Sequence, residues 1–375
     1  MSCPGVLRIS IRVPRIPTIA NLSTLQAPSL TSFLTDSCGL SPAAAITAAS
    51  KLSSFSKGHK ISAQSKPESV LAFFQSHGFS PSQIVKLFST HPRLLVSNPA
   101  RTFQPKMEFY LRSGFSPSTL TKLITSDAFI LLMSLKNRII PSFDFLKAIL
   151  HKNEDVAAAV KRSTWMLRVN LKKKMAPNIE TLHGIGVPMV SIAKLTKIHP
   201  TVLMQSTGRF GESVKRVLQM GFSPSDAMFI HALHSVSAIS VTTLERKLEL
   251  YKSFGLPEDK ILSCLKKNPM IVNLSEEKMR KSFGFFMEKL KWKPEFVFSY
   301  SVLLMLSIEK RVAPRFSVYE ILASKNLLTE KAIFPRIFLL TEVEFVRRYL
   351  IRQAPILPTP DILFAELLFQ KMKKQ

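Results

Sequence analysis

The sequence predicts an all-α fold, a solenoid of about eight helix-pair repeats with a period of about 36 residues and a C-terminal cap. Three observations predict it. A Gly-apolar-Ser-Pro motif recurs at near-constant spacing. A second proline and a short apolar run follow it at fixed phase. Apolar residues then recur at helical spacing, as in Met107, Tyr110 and Leu111 and in Phe143, Leu146, Ile149 and Leu150.

The motif reads Gly-Phe-Ser-Pro at 78–81, 114–117 and 221–224, and Gly-Leu-Ser-Pro at 39–42. It is shortened at Gly186-Val187-Pro188 and Gly255-Leu256-Pro257. Successive glycines lie 39, 36, 72, 35 and 34 residues apart, so one joint between Gly114 and Gly186 has lost its glycine. Each residue has a mechanical role. Glycine takes the left-handed position that ends a helix. The apolar residue packs against a flanking helix. Serine caps the next helix, and proline fills its first position, where a missing N–H costs nothing.

Pro92, Pro200 and Pro269 follow Pro81, Pro188 and Pro257 by 11 or 12 residues and stop the first helix after about three turns. The runs Leu94-Leu95-Val96, Val202-Leu203-Met204 and Met270-Ile271-Val272 come next, and 129–132 and 165–167 hold the same place without the proline. Pro105, Pro141 and Pro177, each 36 apart, mark the start of the second helix. Units therefore begin near residues 39, 78, 114, 151, 185, 221, 255 and 291, the fourth and eighth degenerate at the joint. Repeats are expected over 36–325, and 326–375 departs from the pattern as a helical cap with a basic tail.

Residues 1–35 contain no acid but carry Arg8, Arg12 and Arg15 among many serines and threonines, the composition of a disordered organelle transit peptide. The arginine spacing favours the mitochondrion, while Pro14 and Pro17 leave the chloroplast open.

The chain carries 52 Lys+Arg against 25 Asp+Glu, a net charge of +27, far above the roughly 2–8 that solubility asks of a small domain. A polyanion partner is implied, nucleic acid first and an anionic membrane surface second. Cys3, Cys38 and Cys264 are too few and too scattered for a disulfide framework or a Cys-x-x-Cys metal site. No apolar run reaches the roughly 18 residues of a membrane span. His231 and His234 have no acid or cysteine at ligand spacing, and Glu258-Asp259 and Glu276-Glu277 fall at helix starts, where the dipole accounts for them. There is no glycine-rich phosphate loop, so neither cofactor nor enzyme is expected. Trp165 and Trp292 are expected in the core.

The combination of joint, mid-repeat proline, apolar turn and second helix, clearest over 78–112, resembles the mitochondrial transcription termination factor (mTERF) family, particularly its plant organelle branch. The segment 341–346 is similar to that family's C-terminal part. The resemblance spans about residues 38–350. It implies an organelle-targeted, right-handed superhelical solenoid without catalytic residues. Its members include binders of double-stranded DNA that act in transcription termination or initiation, and plant proteins that support RNA processing and intron splicing.

A basic residue recurs near one phase of the repeat: Arg101, Arg138, Lys174, Arg209, Arg246, Arg280 and Arg315. Equal phase in a solenoid means equal position on its surface, so these seven are the expected phosphate contacts. Double-stranded DNA and structured RNA both remain open as partners of a monomer. A pentatricopeptide-type RNA reader has a similar period but lacks the mid-repeat proline. A HEAT-like protein scaffold has no need of so much positive charge.

Overall fold

The computed structural model describes residues 27–56, 67–327 and 335–351, and every regular element among them is helical. They group into two compact units, one of the described residues up to 176 with 196–204 and the other of 177–195 with the described residues from 205 on.

In the first unit the repeat opening at Gly78 shows how sequence makes structure. Gly78 has φ +79°, and the N–H groups of Gly78 and Phe79 close onto the carbonyls of Gln75 and Phe74. This paired closure ends the preceding helix and turns the buried Phe79 back against it. Ser80 then caps the helix Pro81–Thr90 reciprocally with Gln83. Pro92 opens a short turn, Pro92–Val96, in which Leu94 and Leu95 are fully buried. Asn98 caps the second helix, Pro99–Phe103 running into Gln104–Arg112. Its first turn is wide, with the Gln104 N–H reaching Pro99 five residues back. The same wide turn precedes Pro141 and Pro314. A proline ring crowds the carbonyl four residues earlier, and the wider turn relieves that contact.

The degenerate joints are supplied by other residues. His151 (φ 63°), Lys291 (φ 55°) and Asn326 (φ 56°) are the non-glycine residues of positive φ among those described. The first two stand where the fourth and eighth units were expected to begin. Asn326 makes a further joint in the second unit, with the Leu327 N–H returning to the Leu322 carbonyl. Beyond it lie an apolar turn, Arg336–Phe338, and a helix start reciprocally capped by Thr341 and Glu344. The described residues past 325 thus carry a joint, an apolar turn and a capped helix start of the kind seen in the repeats before them. The basic tail at 352–375 lies outside the described residues.

Ala27–Ser32 and Phe33–Ser37 are helical, with Phe33 and Leu34 buried, so ordered helix is already present before residue 36. Residues 1–26, with the three arginines of the expected address, lie outside the described residues. Among the described residues no helix is long and apolar enough to cross a membrane.

Candidate nucleic-acid interface

Six of the second helices start from a polar cap whose side chain is hydrogen-bonded. In the first unit the side chains of Asn98, Ser134 and Asn170 accept the backbone N–H groups of Arg101, Asn137 and Lys173. In the second unit Ser240, Ser275 and Ser307 accept those of Thr243, Lys278 and Lys310. Ser206 holds the same place ahead of Thr207–Gln219 without a side-chain bond. These caps give a register counted from structure. At the third position after the cap stand Arg101, Asn137 and Lys173 in one unit, and Arg209, Thr243, Lys278 and Lys310 in the other. Five of these seven are basic, whereas the same position after the cap Thr341 is the acidic Glu344. The five basic residues sit where the helix dipole and the first-turn N–H groups already favour an anion.

In this register the seven residues expected from sequence do not hold one position. Arg101, Arg138 and Lys174 lie three, four and four residues after their caps, and all three are exposed. Arg209, Arg246 and Arg280 lie three, six and five after theirs and are also exposed. Arg209 donates to the Ser237 carbonyl at 3.3 Å, and Arg246 is paired with Glu276. Arg315, eight after Ser307, is 0% exposed and is the clear correction. The cause is a shortening repeat. Successive caps from Asn98 to Ser307 are 36, 36, 36, 34, 35 and 32 residues apart, so a row counted at a steady 34–37 slides along the helix.

Arg315 slides into a different row, which sequence reading missed. Lys106, Ser142, Asn178, Ser213, Lys247, Ser282 and Arg315 lie seven or eight residues after their caps and are all buried. Several tie the second helix to the end of the following apolar turn. Lys106 donates to the Leu131 carbonyl, and Asn178 to that of Gln205 at 2.9 Å. Lys247 donates to Val272 at 2.6 Å. Arg315 donates to the carbonyls of Ile337, Phe338 and Leu340 at 3.0, 3.2 and 2.7 Å. Burial pushes the Lys106 ammonium down to about 8 and lowers Lys247 as well. It also lowers Arg315, which Glu342 partly restores. A signal was present in sequence, since Lys106, Ser142, Asn178 and Arg315 each follow a proline directly. These cations hold repeats together and are not available to a ligand.

Beside the buried Ser142 a groove of about 590 Å³ opens in the first unit between 137–148 and 169–172, with Arg138 and Lys172 in its lining. Trp292, expected in the core, is half-buried and stacked on Phe286 at 5.3 Å. Trp165 is corrected: it is 46% exposed, because the next two residues, Met166 and Leu167, fill the core of that turn. Among the described residues no group of three His, Cys, Asp or Glu could hold a metal ion.

The mTERF family profile matches residues 71–279 and 235–345, spanning both units. The chain belongs to the mTERF family. As an mTERF protein it falls among organellar nucleic-acid-binding regulators of gene expression, in keeping with the basic first turns of its second helices. No curated protein matches the chain.

Proposed function

We propose that this mTERF protein binds double-stranded DNA as a monomer in the mitochondrion and acts there in transcription termination or regulation, without catalysing a reaction. The observation that carries this reading is the cap register. Arg101 and Lys173 in one unit, and Arg209 and Lys310 in the other, sit exposed in the first turn of second helices. Exposed Arg138, Lys174 and Arg280 extend these rows, and Arg246 joins them by exchanging Glu276 for phosphate. Such contacts position a duplex through its backbone and carry no sequence code. Arg315 has no part in this reading.

Crosslinking in isolated organelles, followed by sequencing of bound DNA and RNA, tests it. Recovery of DNA near transcription boundaries is expected. Recovery of intron RNA alone replaces the DNA reading with RNA processing. Recovery of neither leaves a protein scaffold.

A further inference from the structure

The second residue of each short apolar turn in the first unit forms a row of its own: Arg93, Phe129, Trp165 and Thr201, each 36 residues from the last. All four are exposed. The residues that follow them, Leu94, Ile130, Met166 and Val202, are buried and already supply the packing of the turn. Phe129 and Trp165 are therefore surplus to the core, with 38% and 46% of their surface open. Tryptophan is seldom left so open without use, and exposed aromatic surface marks interaction sites.

The surroundings say what kind of partner fits. The Trp165 side chain makes no ring contact and no hydrogen bond among the described residues. The Arg168 guanidinium lies 4.8 Å from the centre of the Phe129 ring and is held there by its ion pair with Asp127. That pair is neutral as a whole, so the positive field around it comes from the other lysines and arginines. Residues 93–174 carry 15 Lys+Arg against 5 Asp+Glu. A protein ligand of ordinary composition gains little from such a field, whereas a polyanion with flat rings gains twice. Flat guanidinium and aromatic faces amid positive charge are what successive unpaired bases stack upon. In the second unit the corresponding turns carry Met270, Val302 and Arg336, so the aromatic members of this row lie in the first.

We infer that Phe129 and Trp165, with Arg168, form a stacking platform for unpaired nucleobases of a single strand, separate from the basic rows assigned to the duplex. The inference rests on the nucleic-acid reading of this chain but not on its preference for duplex DNA.

The test uses the full-length chain carrying Trp292→Phe, which leaves Trp165 as the sole tryptophan. Its fluorescence is followed against single-stranded RNA, single-stranded DNA and duplex DNA of one sequence. Quenching by single strands but not by duplex is expected, and the stronger of the two single-strand arms identifies the source. In the chain with both tryptophans, Trp165→Ala and Phe129→Ala each weaken single-strand binding about ten-fold. Trp165→Phe retains most of it, and duplex affinity stays within about two-fold. Unchanged single-strand affinity in both alanine variants, with no quenching, overturns the platform even where duplex binding is intact. Quenching by single strands in a chain that binds no duplex upholds the platform and removes the duplex reading instead.

Discussion

Arg315 and Glu342 form an ion pair of 2.8 Å in which the guanidinium is wholly buried and the carboxylate remains partly open to solvent. The same guanidinium donates to three backbone carbonyls of the last described repeat and lies 4.6 Å from the centre of the Phe345 ring. An arginine placed by sequence on a ligand-binding line is thus a tether of the C-terminal repeat.

Arg315→Met is expected to destabilise the chain by about 2 kcal/mol, because buried carbonyls lose their donor. Glu342→Gln should cost less, since its carboxylate is partly solvated. Urea unfolding measures both. Any effect of Arg315→Met on duplex binding should vanish under conditions where the variant is fully folded.

The joints supply a prediction of opposite sign. His151 and Lys291 hold positive φ with a side chain that disfavours it, at a cost of about 1 kcal/mol each. His151→Gly and Lys291→Gly should therefore raise the melting temperature. Gly221→Ala should lower it, because its φ is +80° and a Cβ would meet the Lys266 Nζ at 2.8 Å. Calorimetry of the three variants checks the signs.

These joints also show what sequence could convey. A Gly-Phe-Ser-Pro joint is legible because stop, packing residue, cap and start are each local and residue-specific. His151 and Lys291 are not, since nothing in a histidine or lysine announces positive φ; the surrounding repeat imposes it. Asn326 was legible in principle, as asparagine tolerates that conformation better than most residues. For the candidate interface, the residue type was legible but the register was not. The caps close up from 36 residues apart to 32, and a drift of a few residues turns a helix face around. The caps Asn98, Ser134 and Asn170 were in plain view, and counting from them separates the exposed row from the buried one.

Lys106 carries a pH prediction. Its folded pKa, about 8, lies below the ordinary lysine value of 10.5. Between the two the unfolded chain binds more protons than the folded one, so stability rises with pH across that window. The penalty of burying the charge is complete below about 8 and relieved as pH approaches 10.5. Compared with Lys106→Met, the unaltered chain should gain stability from pH 8 to pH 10. Parallel urea titrations at the two pH values measure the difference, and a constant gap would mean that Lys106 is not held in its buried tether.

The most direct test of the central claim is the salt dependence of duplex DNA binding by the chain carrying Arg101→Gln, Lys173→Gln, Arg209→Gln and Lys310→Gln. Each substitution that removes a cation from a phosphate should flatten the slope of log K against log salt by about 1. The account predicts a flatter slope and weaker binding to every duplex sequence alike, with folding intact. An unchanged slope and affinity in the folded quadruple variant would contradict it.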